Sequence, residues 1–416
     1  MTLQDPTPLG LSKSFGFGDR LGLATPGHLA AAQRYDFAPI FAQQSIREMD
    51  RTRRTPGDVM GAARNALAEA GFNEAWGADA DHLKTVADID LTASAGFCFF
   101  TLDPSEFVEN RADTMDEEAL KTQVHALVAD GILSGGWTES YLGREFDIGQ
   151  GEPLRFDSES LHRAAVKYAR AIDHCGILSA HIAATVPAEK RELEVSVDET
   201  DSPTSPLEHL FFALELKRRE IPVVSLAPRF VGAFEKGIDY IGDLNSFETE
   251  LRRHVAIART FGPYKVSIHT GSDKFSIYPI IGRICGPLLH VKTAGTSYLE
   301  ALRVTCRTEP ALFDQIAEYS RSRFAEDKHS YLISTTDEQI SALFGGNRDR
   351  EEIFLETIPG RQLLHVTYGS VLTVGKSPAG RPFRDAILEN LDTETALHRE
   401  VLENHLGKHL ELLNAG

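Results

Sequence analysis

Short apolar runs punctuate the chain, each closed by polar residues and followed by a longer segment of helical periodicity. Eight runs predict strands: APIFAQQS (38–45), EAWGADAD (74–81), FCFFTLD (97–103), LEVSVDE (193–199), VVSLAPR (223–229), KVSIHTG (265–271), LLHVKT (288–293) and LLHVTYG (363–369). Several are near-continuous in Val, Leu, Ile and Phe, the pattern of parallel strands covered by helices. Capping signals mark helices between them: Thr55 before Pro56, and Ser205, Pro206 and Glu208 as N-cap, first-turn proline and N3 carboxylate. Leu207, Leu210, Phe211 and Leu214 then form an apolar stripe facing a core. Strand followed by amphipathic helix, repeated eight times, predicts an α/β fold of the (β/α)8 TIM-barrel type as one domain. A doubly wound sheet shares most of that signature, and the count of eight favours the barrel.

Residues 104–160, with SGGWTESYLGREFDIGQGEP, read as an insertion after the third strand, where barrel loops can grow into lids. Residues 308–360 read as extra helices before the last strand. Residues 380–416 read as a helical cap, with Leu388, Leu391, Leu397 and Leu402 among its apolar positions and a homo-oligomer contact as the alternative. The glycine-rich start, residues 14–28, fails as a dinucleotide site, because Gly16, Gly18 and Gly22 have the wrong spacing and follow no strong strand. It reads as a loop shaping the barrel's edge.

With 416 residues, 42% hydrophobic and 25% charged, the chain has the composition of an ordinary globular protein. A net charge of −18 repels phosphate backbones and anionic membranes, which argues against nucleic-acid or membrane partners. An anionic small substrate would need a locally positive pocket. Cys98, Cys175, Cys285 and Cys306 lie far apart without metal-ligand spacing, the N-terminus lacks a leader pattern, and no stretch approaches 18 apolar residues. The expectation is a reduced, cytoplasmic protein.

In a barrel the chemistry sits at the C-terminal ends of strands. There the chain offers Asp81, His82 and Lys84; Asp103; Asp198 and Glu199; Arg229; His269, Asp273 and Lys274; His290 and Lys292; and His365. Histidines converging beside carboxylates suit Zn, Mn, Fe, Ni or Co, although no pair has diagnostic spacing. A lone strand-end histidine is more often structural, and His290 and His365 stand earlier in their strands.

Seven blocks at these strand ends carry a family resemblance: FGFGDRLGLATPGH (15–28), GADADHLKT (77–85), FTLDPSEFV (100–108), EVSVDETDSPTSPLEHLF (194–211), SLAPRFVGAFEKGIDYIGD (225–243), HTGSDKFSIYP (269–279) and HVKTAGTSYLEALR (290–303). Over most of its length the chain resembles the tagaturonate epimerase family. The resemblance implies interconversion of tagaturonate and fructuronate, dependence on a divalent metal, Asp81 as catalytic base, Glu199 as its acid partner, and His82, His269 and His290 as metal ligands. Which carboxylate of Asp198 and Glu199 faces the site stays open, and His365 is the alternative third ligand. Arg229, Lys274 and Lys292 are candidates to bind the substrate carboxylate.

The two sugars differ at a carbon β to the ketone, whose C–H that carbonyl does not acidify. Inversion then needs transient oxidation by a nicotinamide or retro-aldol cleavage and re-addition, and the missing dinucleotide fingerprint favours the second. A Schiff base on Lys292 is the metal-free alternative. The rival activities are a metal-dependent aldolase and a ketose or ketose-phosphate isomerase on the same barrel.

Overall fold

A computed structural model describes residues 4–345 and 349–416. Eight parallel strands close into a barrel in sequence order: β1 (Ser14–Gly18), β2 (Ala38–Ser45), β3 (Gly77–Leu83), β4 (Phe99–Leu102), β5 (Glu192–Ser196), β6 (Val223–Ala227), β7 (Lys265–Ile268) and β8 (Leu289–Thr293). β8 closes the ring on β1 through Ser14 opposite His290 and Gly16 opposite Lys292. The expected fold is therefore observed, with seven of the eight expected strands in place.

Two assignments are corrected. Residues 14–18, expected as a loop, form β1. Only Phe15 and Phe17 are apolar there, so no aliphatic run announces a strand. Gly16 is needed for close approach, since a Cβ on it would overlap the Gln43 side chain. Residues 363–369, expected as the eighth strand, are helical instead, in Ile358–Val366 and Tyr368–Thr373. Thr357 caps the first by accepting from the Gly360 N–H, and Pro359 lies in its first turn. A buried helix can be apolar all round, so a short apolar run cannot by itself be told from a strand.

The caps act as expected: Thr55 with Asp58, and Ser205 with Glu208, form reciprocal capping boxes. Residues 104–160 include the helix Glu117–Ala129 and an antiparallel bridge between Phe146 and Leu154. Trp137 and Tyr141 from this segment pack on Phe211, outside the barrel. Helices Thr296–Thr308, Pro310–Asp327, Ile358–Val366 and Phe383–Thr393 gather a second apolar cluster beside the barrel core. Residues 346–348, within the stretch expected as extra helices, lie outside the described residues. The last helix, Thr395–Asn414, packs against helices Thr25–Ala32 and Tyr278–Cys285. All four cysteines are free and buried. Among the described residues no helix is long and apolar enough to cross a membrane.

Candidate active site

Strand alternation turns Asp79 and Asp81 of β3 into the barrel and would turn His82 away from it. The register prevents this. Ala80 pairs with Phe100 and Leu83 with Leu102, so β3 carries one extra residue between the pairs. His82 absorbs it with φ of 54°, a left-handed conformation unusual outside glycine. Its imidazole thereby joins Asp81 at the C-terminal mouth and meets His269, from the end of β7, with ring centroids 5.1 Å apart. Thr270 and Asp273, just beyond, are also left-handed, with φ of 51° and 63°. Such strain costs about 1–3 kcal/mol per residue and collects where function constrains the backbone.

Asp81, His82 and His269 each offer a ligand atom, and these atoms lie within 4.8 Å of one another. A buried carboxylate orients each imidazole. Nδ1 of His82 is 3.1 Å from Asp103 Oδ2, and Nε2 of His269 is 2.7 Å from Glu194 Oε1. The remaining nitrogens face Asp81 at 3.8 Å and Asp198 at 3.4 Å. Burial alone would lower both imidazoles, but the surrounding acids win. Asp81, Asp103 and Asp198 raise His82 to about 10, and Asp198 with Glu194 raises His269 to about 9.

Lys292 stands beneath this group. Its ammonium is 2.7 Å from Asp79, 2.8 Å from Asp81 and 2.9 Å from Glu194. Burial opposes its charge, but the three carboxylates hold the proton firmly. In turn Lys292 and the imidazoles keep Asp81 and Glu194 ionised against the cost of burial. Asp79 is pushed up to about 7 by desolvation despite Lys292, with the neighbouring Asp81 and Glu194 charges adding to the shift.

The expected site residues separate on this geometry. Asp81, His82 and His269 converge, and both Asp198 and Glu199 line the cavity above them. β5 ends at Ser196, so strand alternation no longer sorts that pair. Glu199 is held by Arg47 at 2.8 Å. His290 does not join the group. It shares the inward face of β8 with Lys292 but lies two residues, about 6.6 Å, further down the barrel. There its Nδ1 is 3.0 Å from Ser14 Oγ, its ring packs on Phe99, and burial pushes it well below the usual histidine range. His365 lies on a helix and lines the inner cavity, with both ring nitrogens unbonded. Lys292 and Lys274 have no proton left for a substrate. The Lys292 ammonium also donates to Thr101, and that of Lys274 donates to the Glu235, Ile238 and Ser272 carbonyls. Arg229 lines the outer cavity.

Sequence reasoning missed Asp79, Glu194, Lys236 and Arg20. Asp79 and Glu194 were findable, as buried-strand acids in alternation with Asp81 and Asp198. Lys236 and Arg20 sit in loops with no local signal. Arg20 pairs with Glu48 at 2.8 Å and stacks on Tyr368. A second acid and histidine group, Asp273, His405 and His409, is already saturated: Arg361 and His405 take the Asp273 carboxylate, and His409 Nε2 accepts the Asp273 N–H. It fastens the loop after β7 to the last helix. The outer cavity measures about 280 Å³ and runs into a smaller pocket of about 50 Å³ over Asp81, His82 and Lys292. A larger cavity of about 750 Å³, near Lys13 and Ala38, lies at the opposite end of the barrel, where strands begin.

Comparison with known proteins covers the whole chain. The sequence profile of the tagaturonate epimerase family matches residues 1–413. A tagaturonate/fructuronate epimerase of Thermotoga maritima is 41% identical over 415 residues, covering 98% of this chain and 82% of that protein. A glycerol-complexed crystal structure of the fructuronate-tagaturonate epimerase of Cohnella laeviribosi superposes with a TM-score of 0.91 at 37% identity, covering 98% of this chain and 83% of the other. The native crystal structure of that protein gives a TM-score of 0.90 at 38% identity, with the same coverage.

Proposed function

Because this chain belongs to the tagaturonate epimerase family, we infer that it is a carbohydrate epimerase interconverting D-tagaturonate and D-fructuronate, with a divalent metal held by Asp81, His82 and His269. The observation that carries the metal assignment is the turning inward of His82, which completes a mixed nitrogen and oxygen donor set at the mouth of the barrel. The donor set suits a borderline divalent cation, and the carboxylates behind each imidazole are the usual orienting partners of ligating histidines. The surrounding acids favour positive charge at this point, where two imidazolium protons sit otherwise. A metal held there would supply Lewis acidity to the reacting carbonyl.

The chain's own groups account for the proton transfers of a retro-aldol route. A carboxylate takes the proton of the β-hydroxyl, the bond between the α and β carbons breaks, and its electron pair passes to the α-carbon fragment as an enediolate. The aldehyde turns, the bond re-forms on its other face, a second carboxyl group protonates the new alkoxide, and proton exchange with solvent returns both carboxyl groups to their starting state. We assign the acceptor to Asp81, at the inner end of the cavity, and the donor to Glu199, at its wall. Lys292 serves this site as a fixed positive charge that keeps Asp81 ionised. It is a poor Schiff-base nucleophile, because three carboxylates keep its amine protonated.

The test is to incubate the metal-loaded protein with tagaturonate and fructuronate in D2O and follow the products by NMR. Interconversion with no deuterium at the inverted carbon is expected. Three-carbon fragments accumulating as products would make the protein an aldolase, and deuterium at the inverted carbon would mean C–H cleavage.

A further inference from the structure

A hexuronate ends in a carboxylate at the end of the chain remote from its ketone. If the ketone lies at the inner group, the carboxylate extends into the outer cavity. The two cavities share Lys236, His269, Asp198 and Thr270, whereas Asp81, His82 and Lys292 line only the inner one and Arg229 only the outer. Most cations around the mouth are committed elsewhere: Arg20 to Glu48, Arg47 to Glu199, Arg51 to Tyr331, Lys292 to three acids and Lys274 to three carbonyls. Lys236 differs. Its ammonium donates to Thr270 Oγ1 at 2.7 Å, and no carboxylate lies within 4.0 Å of it among the described residues. Two of its three protons are left for the cavity. Arg229 likewise has no carboxylate within 4.0 Å among the described residues, although its guanidinium carries five donors.

We propose that Lys236, with Arg229 on the wall of the same outer cavity, is the receptor for the substrate's carboxylate and sets the preference for sugar acids over neutral ketoses. The inference rests on the epimerase reading above. Burial pushes the Lys236 amine down from its usual range, with Glu199 and Asp198 opposing the shift and Arg47 reinforcing it. A carboxylate bound at Lys236 restores the lost stabilisation of its charge. In a chain of net charge −18, a local pair of uncommitted cations is what an anionic substrate needs to enter this cavity. Thr270 positions the ammonium from the left-handed residue immediately after His269, which ties the receptor to the inner group.

The experiment compares wild type, Lys236→Met and Lys236→Arg, each metal-loaded, on tagaturonate and on the neutral ketose of the same configuration that bears CH2OH in place of the carboxylate. Losing a charge-assisted contact lowers affinity by about 10- to 100-fold. For Lys236→Met we expect kcat/KM on tagaturonate to fall by about that factor, mainly through KM, and the loss on the neutral ketose to be at least tenfold smaller. Lys236→Arg should keep most of the preference for the acid. Equal losses on both sugars would overturn the receptor while leaving the epimerase reading intact. Calorimetric binding of tagaturonate separates the two further. Should wild type turn over neither sugar, the epimerase reading falls, and the receptor stands or falls on whether Lys236→Met weakens that binding.

Discussion

Replacing Lys292 by methionine keeps the length of the side chain and removes the ammonium that Asp79, Asp81 and Glu194 share. At the observed 2.7–2.9 Å, each contact has a gross Coulomb energy of about 6 kcal/mol at an effective dielectric of about 20. Repulsion among the carboxylates and desolvation of the ammonium offset most of it. Removing one partner of a buried ion cluster typically leaves a net cost of about 3–5 kcal/mol. The pH dependence identifies the cause. In the wild type the folded-state pKa values of Asp81 and Glu194 are depressed, so their contribution is present above the unfolded values and is lost as pH falls through the folded ones. In the variant Asp79 loses the cation that opposed its burial and rises further above its unfolded value, while Asp81 and Glu194 keep only the imidazoles as opposing charge and are less depressed. The Asp79 penalty is absent below about pH 4 and grows as pH rises through neutrality, where less of the Asp81 and Glu194 contribution remains. Urea unfolding of the chelator-treated proteins should show a deficit of about 3–5 kcal/mol at pH 8, less than half of it remaining at pH 5. A variant that folds only at the lower pH would express the same effect. A deficit below about 1 kcal/mol, or one independent of pH, would refute the reading of Lys292 as the neutralising charge.

His82→Ala and His269→Ala should each lose bound metal in equilibrium dialysis, and full occupancy in both would remove the proposed ligand set. Because the metal-free imidazoles hold their protons up to about 10 and about 9, binding at pH 7 should release two protons, and affinity should fall about 100-fold per pH unit of acidification below pH 9. Calorimetry in buffers of different ionisation heat measures that number, and zero release would contradict it. Asp81→Asn should weaken metal binding, because its carboxylate is one of the three proposed ligands, and at saturating metal should still lose about 10²- to 10⁴-fold in turnover as the proton acceptor is removed. Unchanged metal affinity would remove Asp81 from the ligand set, and normal turnover would remove it as the acceptor.

The sequence by itself determined the repeat of strand and helix, because apolar runs and caps act over a few neighbouring residues. It also held the candidate chemistry, since barrel topology brings strand ends to one mouth. It could not show that residues 14–18 are a strand, because Gly16 is required by the approach of Gln43, a contact made only when β2 pairs alongside β1. Nor could it tell the buried helix at residues 358–366 from a strand. The tertiary structure alone decided which groups meet. The extra residue in β3 relative to β4 turns His82 inward against alternation, whereas His290, on the proper inward face, stays one layer too deep. It also decided which cations are free. Lys274 and Lys292 look like anion binders along the chain, yet three backbone carbonyls and three carboxylates, brought from distant strands and loops, consume their protons and leave Lys236 facing the cavity. Charge is a property of the residue, but its availability depends on neighbours that only the folded chain assembles.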